Sequence, residues 1–241
     1  MRYFILLIGA IVFLFSCSKE TETIESAPIS QYFPLQQGKY IVYQLDSTVF
    51  LPFGTSSEVR SYQVKYYTDT VVTDNLGRKG WRIFRYIRKD STETWTPDAS
   101  FMAINDSRQL EFVENNMRFI KLSLPIKEGF SWKGNGYIDT YSINSTVKYL
   151  DGWNYTYDSL NVTLSIGRLS FDSTLKVVQQ DEVLGDPQDP TSYSEINFSV
   201  EKYAAGVGMI YKKFYHSEYQ PSGGFYADGS YGVEYTIIDH N

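Results

Sequence analysis

The chain has 241 residues with a formal net charge of −6, two histidines and a single cysteine, and 17% of it is aromatic, led by 21 Tyr and 15 Phe. An acidic chain with scattered basic residues lacks the clustered Lys and Arg that grip phosphate, so nucleic acid is excluded as a partner. One cysteine excludes an internal disulfide, and with only His216 and His240 to help it makes neither a Cys/His metal site nor an activated nucleophile; no metal and no cofactor is expected.

In chain order, Met1-Arg2 supplies a positive start and residues 3–15 (YFILLIGAIVFLF) are almost wholly apolar. This is the layout of a secretory signal, too short to cross a hydrocarbon core of about 30 Å as a helix. Leu14-Phe15-Ser16-Cys17 resembles the lipobox of bacterial lipoproteins, with Phe15 bulkier than the residue usual there. The resemblance implies that residues 1–16 are removed, that Cys17 is acylated, and that the acyl chains anchor the protein to a membrane. The alternative is an ordinary cleaved signal with an incidental cysteine. The following SKETETIESAPISQ is polar, free of aromatics and without periodicity, so residues 17–31 are expected to form a flexible tether. Lys19, Glu20 and Glu22 resemble the acidic export signal of some Gram-negative lipoproteins, which implies the outer face of the outer membrane; the periplasmic face is the alternative.

From residue 32 onward a period of two dominates. Tyr62, Val64 and Tyr66 alternate with polar residues; Leu110 and Phe112 precede an Asn115-Asn116 turn, with Met117 and Phe119 after it. Leu160, Val162, Leu164 and Ile166 alternate strictly up to Gly167-Arg168, and a second strand follows from Leu169. Ile196, Phe198 and Val200, then Val233, Tyr235 and Ile237, repeat the pattern. Turns are expected at Asn75-Leu76-Gly77 and Asp151-Gly152, and loops at Gly223-Gly224 and Asp228-Gly229. No window carries an apolar stripe at helical spacing. About ten to thirteen short strands on adjacent connections predict one all-β domain over residues 32–241, an antiparallel sheet folded as a barrel, half-barrel or sandwich. Pro34-Leu35-Gln36-Gln37-Gly38 recurs as Pro125-Ile126-Lys127-Glu128-Gly129, which is either chance or the mark of two similarly built half-sheets.

YFPLQQGKYIVY resembles the opening of a large group of bacterial secreted and lipid-anchored proteins that begin F-P-L-x-x-G-x-x-W-x-Y, although Ile41-Val42-Tyr43 departs from the tryptophan spacing. KYAAGVGMIYKKF resembles the A-P-G-V-G-L-V segment near the end of the same group. The resemblance implies a β-rich envelope protein and no particular activity.

Four features invite a chemical reading. Asp181, Glu182, Asp186 and Asp189 crowd one loop, but their spacing fits no calcium site and suits a solvated turn. Gly206-Val207-Gly208 lacks the third glycine and helix of a phosphate loop and reads as a bulge or tight turn. Trp95 and Trp153, beside turn residues, are candidate sugar platforms, whereas Trp81 and Trp132 read as core. Seven of fifteen aspartates precede Ser or Thr; five of these sites resemble the D-[ST] motifs at which some Gram-negative bacteria O-glycosylate exported proteins, placing Ser47, Thr70, Ser91, Ser159 and Ser173 as acceptors. The competing explanation is that Asp and Ser bond their own backbone in turns. The expectation is an outer-membrane lipoprotein acting as a non-catalytic binding or accessory module for a glycan or an envelope partner protein. The alternatives are a glycan-degrading hydrolase and a carrier of lipid or another apolar molecule.

Overall fold

The computed structural model describes residues 26–241; the signal segment, Cys17 and residues 19–22 lie outside the described residues. Thirteen strands follow a four-residue helix, α1 (Ile29–Tyr32). The first six are β1 (Tyr40–Phe50), β2 (Ser57–Thr73), β3 (Lys79–Arg88), β4 (Thr96–Asn105), β5 (Gln109–Glu114) and β6 (Met117–Ser123). The rest are β7 (Ser131–Trp132), β8 (Tyr155–Ile166), β9 (Leu169–Gly185), β10 (Ser194–Ala204), β11 (Gly208–Gln220), β12 (Phe225–Tyr226) and β13 (Tyr231–His240). They form one antiparallel sheet in the order β6-β5-β4-β3-β2-β1-β13-β11-β10-β9-β8-β7, with β12 beside β11. The sheet is therefore two meanders joined where β13 slots against β1, and it curls into a nearly closed barrel.

The turns explain the meander. Asn115 and Asn116 both take left-handed φ, 52° and 59°, as a two-residue hairpin between twisted strands requires. The Asp74 carboxylate accepts bonds from the N–H groups of Leu76 and Arg78 and so closes the β2–β3 turn. The repeated pentapeptide opens the two meanders with one device. Lys39 N–H bonds Gln36 C=O and Phe130 N–H bonds Lys127 C=O, across Gly38 (φ 84°) and Gly129 (φ 78°). Gly38 N–H then bonds Thr68 C=O of β2 while Thr68 N–H returns to Lys39, and Gly129 and Phe130 make the same exchange with Tyr157 of β8.

The barrel's seam lies between β6 and the β7–β8 pair. Ile120 N–H donates to Gly134 C=O (2.8 Å), and Trp132 Nε1 donates to the same Ile120's carbonyl. The Tyr157 hydroxyl accepts from Ser123 N–H (3.0 Å) and donates to Ser123 C=O (2.8 Å).

One pole of the barrel is stopped by the segment before β1. Residues 26–31, expected in the tether, are packed here instead. Ile29 and Tyr32 are buried in the core, Ser26 Oγ accepts from Ile126 N–H, and Gly206 N–H of the β10–β11 turn donates to Gln31 C=O. Two apolar side chains and the capped carbonyl outweigh the polar local composition, so the ordered domain begins before residue 32. The bulk of β8 also departs from strict alternation. Asn161, at φ 55°, is an extra residue between the Leu160 and Val162 pairings. This bulge turns the Asn161 amide oxygen toward the Tyr32 hydroxyl and leaves Val162 exposed, against the expected apolar face.

The opposite pole is built from strand tips. Phe50 packs on Tyr226 (ring centroids 4.5 Å), Tyr226 on Tyr219 (5.2 Å), and the Tyr219 hydroxyl donates to Pro190 C=O. The β7–β8 loop covers the side wall there. It contains a short 3-10 turn (Lys148–Leu150) whose Leu150, with Trp153 following, inserts into the core.

Candidate functional site

The barrel's middle is crossed by a layer of charge. Glu201 of β10 and Lys212 of β11 are register partners, and both point inward. Glu114 and Lys121 reach them from the far wall, at the ends of the β5–β6 hairpin. Lys121 Nζ lies 2.8 Å from Glu201 and 3.2 Å from Glu114; Lys212 Nζ lies 3.6 Å from Glu114 and 3.8 Å from Glu201. The Tyr203 hydroxyl donates to the other Glu201 oxygen at 2.6 Å. Glu201 is 0% exposed and Lys121 8%. Burial works against charge on Glu114, Glu201 and Lys121, yet the opposite charges prevail. Burial raises the Glu114 carboxyl, but Lys212 and Lys121 outweigh it and hold the group down at about 2. Glu201 is likewise lowered, by Lys121 and Lys212 against burial. Lys121 is raised because Glu201 and Glu114 outweigh its burial.

Two cavities flank this layer. One, of about 60 Å³, lies toward the N-terminal pole between Phe33, Tyr43, Tyr66 and Met209. The other, of about 180 Å³, lies beneath the β7–β8 loop, walled by Phe101, Phe119, Tyr155 and Phe214. Arg85, Lys121 and Lys212 line it against one carboxylate, Glu114. His216, nearby on β11, stacks on Tyr149 of the loop at 3.8 Å and pairs with Asn197; burial lowers it and favours the neutral ring.

This layer was hidden in the sequence. Ile196, Phe198 and Val200 read as the inward face of β10, but Asn197, Ser199, Glu201 and Tyr203, the alternate set on the same unbroken strand, face inward. The available signal was that Val200 and Tyr203 flank Glu201, making both faces of that stretch apolar enough to bury.

The predicted site residues are dispersed. Ser91 sits in the exposed β3–β4 turn, whereas Ser47, Thr70, Ser159 and Ser173 lie half-buried in β1, β2, β8 and β9. The Ser173 hydroxyl bonds Asn161 and Tyr32, Asp46 accepts from Ser61 across the strands, and Asp90 caps Thr92. Of the acidic loop, Asp186 and Asp189 cap their own turn. Trp153 is 2% exposed and belongs to the core, so it is no sugar platform. Trp95 remains on the outer surface in a groove with Tyr40, Gln63 and Asp239, clamped by Arg88 (4.1 Å) and Lys65 (5.1 Å).

The strand-tip pole is an apolar crown. Phe53, in the Pro52–Gly54 turn, is 91% exposed, and Val59, Val183, Leu184, Tyr193 and Phe225 are also exposed. Phe53 holds φ 69°, a region a bulky residue adopts at a cost of order 1–3 kcal/mol.

Fold and interior together define a nearly closed antiparallel β-barrel with a charged layer across its middle. No protein-family model and no curated protein matches the chain. Among solved structures it is similar to a candidate exported protein with a YmcC-like fold from Bacteroides fragilis, at 10% identity over 86% of this chain and 99% of that one, with a TM-score of 0.41. It is also similar to a candidate lipoprotein from Parabacteroides distasonis, at 11% identity over 88% and 99%, with a TM-score of 0.31. Both likenesses are distant, and neither bears on what this chain binds.

Proposed function

We propose that the protein is an outer-membrane lipoprotein, anchored through Cys17, that acts as a non-catalytic binding module for an envelope partner protein. The observation that carries this reading is polarity along the barrel: the chain leads from the anchor into one pole, and the apolar crown stands at the other. Contiguous exposed apolar groups rimmed by polar ones suit a protein interface, and Phe53 is presented in a strained conformation that packing of its own side chain does not repay. The hydrolase alternative is weakened because Glu114 and Glu201 are both held ionised, whereas glycoside hydrolysis needs one carboxyl kept protonated. The carrier alternative is weakened because cavities of about 60 and 180 Å³ fall below the several hundred Å³ typical of pockets for larger ligands. A glycan reading rests on Trp95 and its flanking polar groups, and O-glycosylation is best tested at Ser91, the accessible acceptor.

A photo-crosslinking residue in place of Phe53 or Phe225 in living cells is expected to trap a discrete protein, while one in place of Leu76, exposed at the N-terminal pole, traps none. Equal labelling from both poles, or none from the crown, sinks the proposal. The Cys17→Ala form is expected to leave the membrane fraction, and protease digestion on intact cells separates the surface from the periplasmic face.

A further inference from the structure

The larger cavity holds more donors than its own residues use. Among the described residues, Trp153 Nε1 and Gln179 Nε2 are buried without a hydrogen-bond partner, and both residues are 2% exposed and line the cavity. Gln179 faces inward in line with Leu175 and Val177, and its amide oxygen is taken by the Ser199 hydroxyl at 2.6 Å, which leaves only the NH₂ end over. Buried donors without partners cost about 1–3 kcal/mol each, a penalty that a bound acceptor removes. Charge in the lining runs the same way. Lys121 is closely paired with Glu201 and Glu114, and Arg85 with Asp98 and the Tyr235 hydroxyl, but the nearest carboxylate oxygen to Lys212 Nζ is 3.6 Å away. In a protein of net charge −6, this chamber has three cations to one carboxylate.

We propose that the larger cavity is a binding site for a small carboxylate with a flat apolar body, its oxygens accepting from Lys212, Trp153 and Gln179 and its body lying among Phe119, Tyr155 and Phe214. A volume of about 180 Å³ holds on the order of ten non-hydrogen atoms at interior packing density. Two lining residues, Arg85 and Tyr231, reach the surface, 24% and 39% exposed. The site is separate from the crown, so its failure leaves the partner-protein reading untouched.

The test uses the full chain in lipid nanodiscs with 4-fluorobenzoate as probe and 4-fluorobenzamide as its neutral isostere, read by fluorine NMR. Saturable binding of the acid is expected, with the amide at least tenfold weaker, the factor that about 1.4 kcal/mol represents. Trp153→Phe, which keeps the ring and deletes the N–H, and Lys212→Met are each expected to weaken the acid severalfold while the variants melt cooperatively. Should Lys212→Met not fold, Trp153→Phe and the acid-to-amide ratio still decide. Absence of saturable binding, equal binding of acid and amide, or an affinity unmoved in Trp153→Phe overturns the proposal and leaves a chamber filled by solvent alone.

Discussion

At the scale of single residues, the charged layer sets the sharpest expectations. Removing one member strands its partners in a low-dielectric interior, which costs about 3–5 kcal/mol for a buried pair. Glu201→Gln is expected at the lower end, since Lys121 keeps Glu114 at 3.2 Å, and urea unfolding measures it. Glu201→Leu combined with Lys121→Met is expected to recover most of that loss, because no unpaired charge remains. The layer also makes the protein acid-sensitive. Glu114 sits at about 2 in the folded state against roughly 4.3 unfolded, so the unfolded chain binds the proton more readily. Its contribution is complete above the unfolded value and is lost as pH falls from about 4.3 toward 2. A Glu114→Gln form is expected to show a flatter fall in urea midpoint over that window. These residues were illegible in the sequence for a physical reason: alternation assigns charged side chains to water, and the inward face of β10 is the polar set Asn197, Ser199 and Glu201.

At the scale of elements, the strands were legible over stretches of unbroken pairing, as at residues 62–66 of β2, 117–119 of β6 and 233–237 of β13. Reading failed at Asn161, where one inserted residue reverses the faces beyond it, on β10, where the polar set faces inward, and at residues 26–31, whose polarity concealed Ile29 as an anchor. The two pentapeptide turns, by contrast, were visible as a repeat. At Gly38 and Gly129 an added Cβ meets nothing within 4 Å, so only the backbone conformation resists substitution. Alanine at either position is expected to cost about 1–2 kcal/mol, and the double variant the sum of the two, since the turns belong to different meanders and share no partner. Thermal unfolding of the three forms checks both statements.

At the scale of the whole molecule, the seam between β6 and β8 depends on a few groups rather than a ladder, and Tyr157 serves both the N–H and the C=O of Ser123. Tyr157→Phe leaves both without that partner and is expected to cost about 1–3 kcal/mol, with faster hydrogen exchange at the Ser123 amide than at β1. The opposite join, β1 with β13, is a full ladder running from Ile41 with His240 to Val49 with Tyr231. That ladder has a temporal meaning. A chain emerging amino end first pairs β1 through β6 with sequence neighbours as they appear, but the outer edge of β1 waits for nearly two hundred further residues. Ring closure is therefore the late and slow event of folding, because the entropy of so long a loop is lost before the ladder forms. Until then an eleven-residue edge stands open to any other extended chain, and a nascent or truncated molecule lacking β13 is the form most prone to self-association.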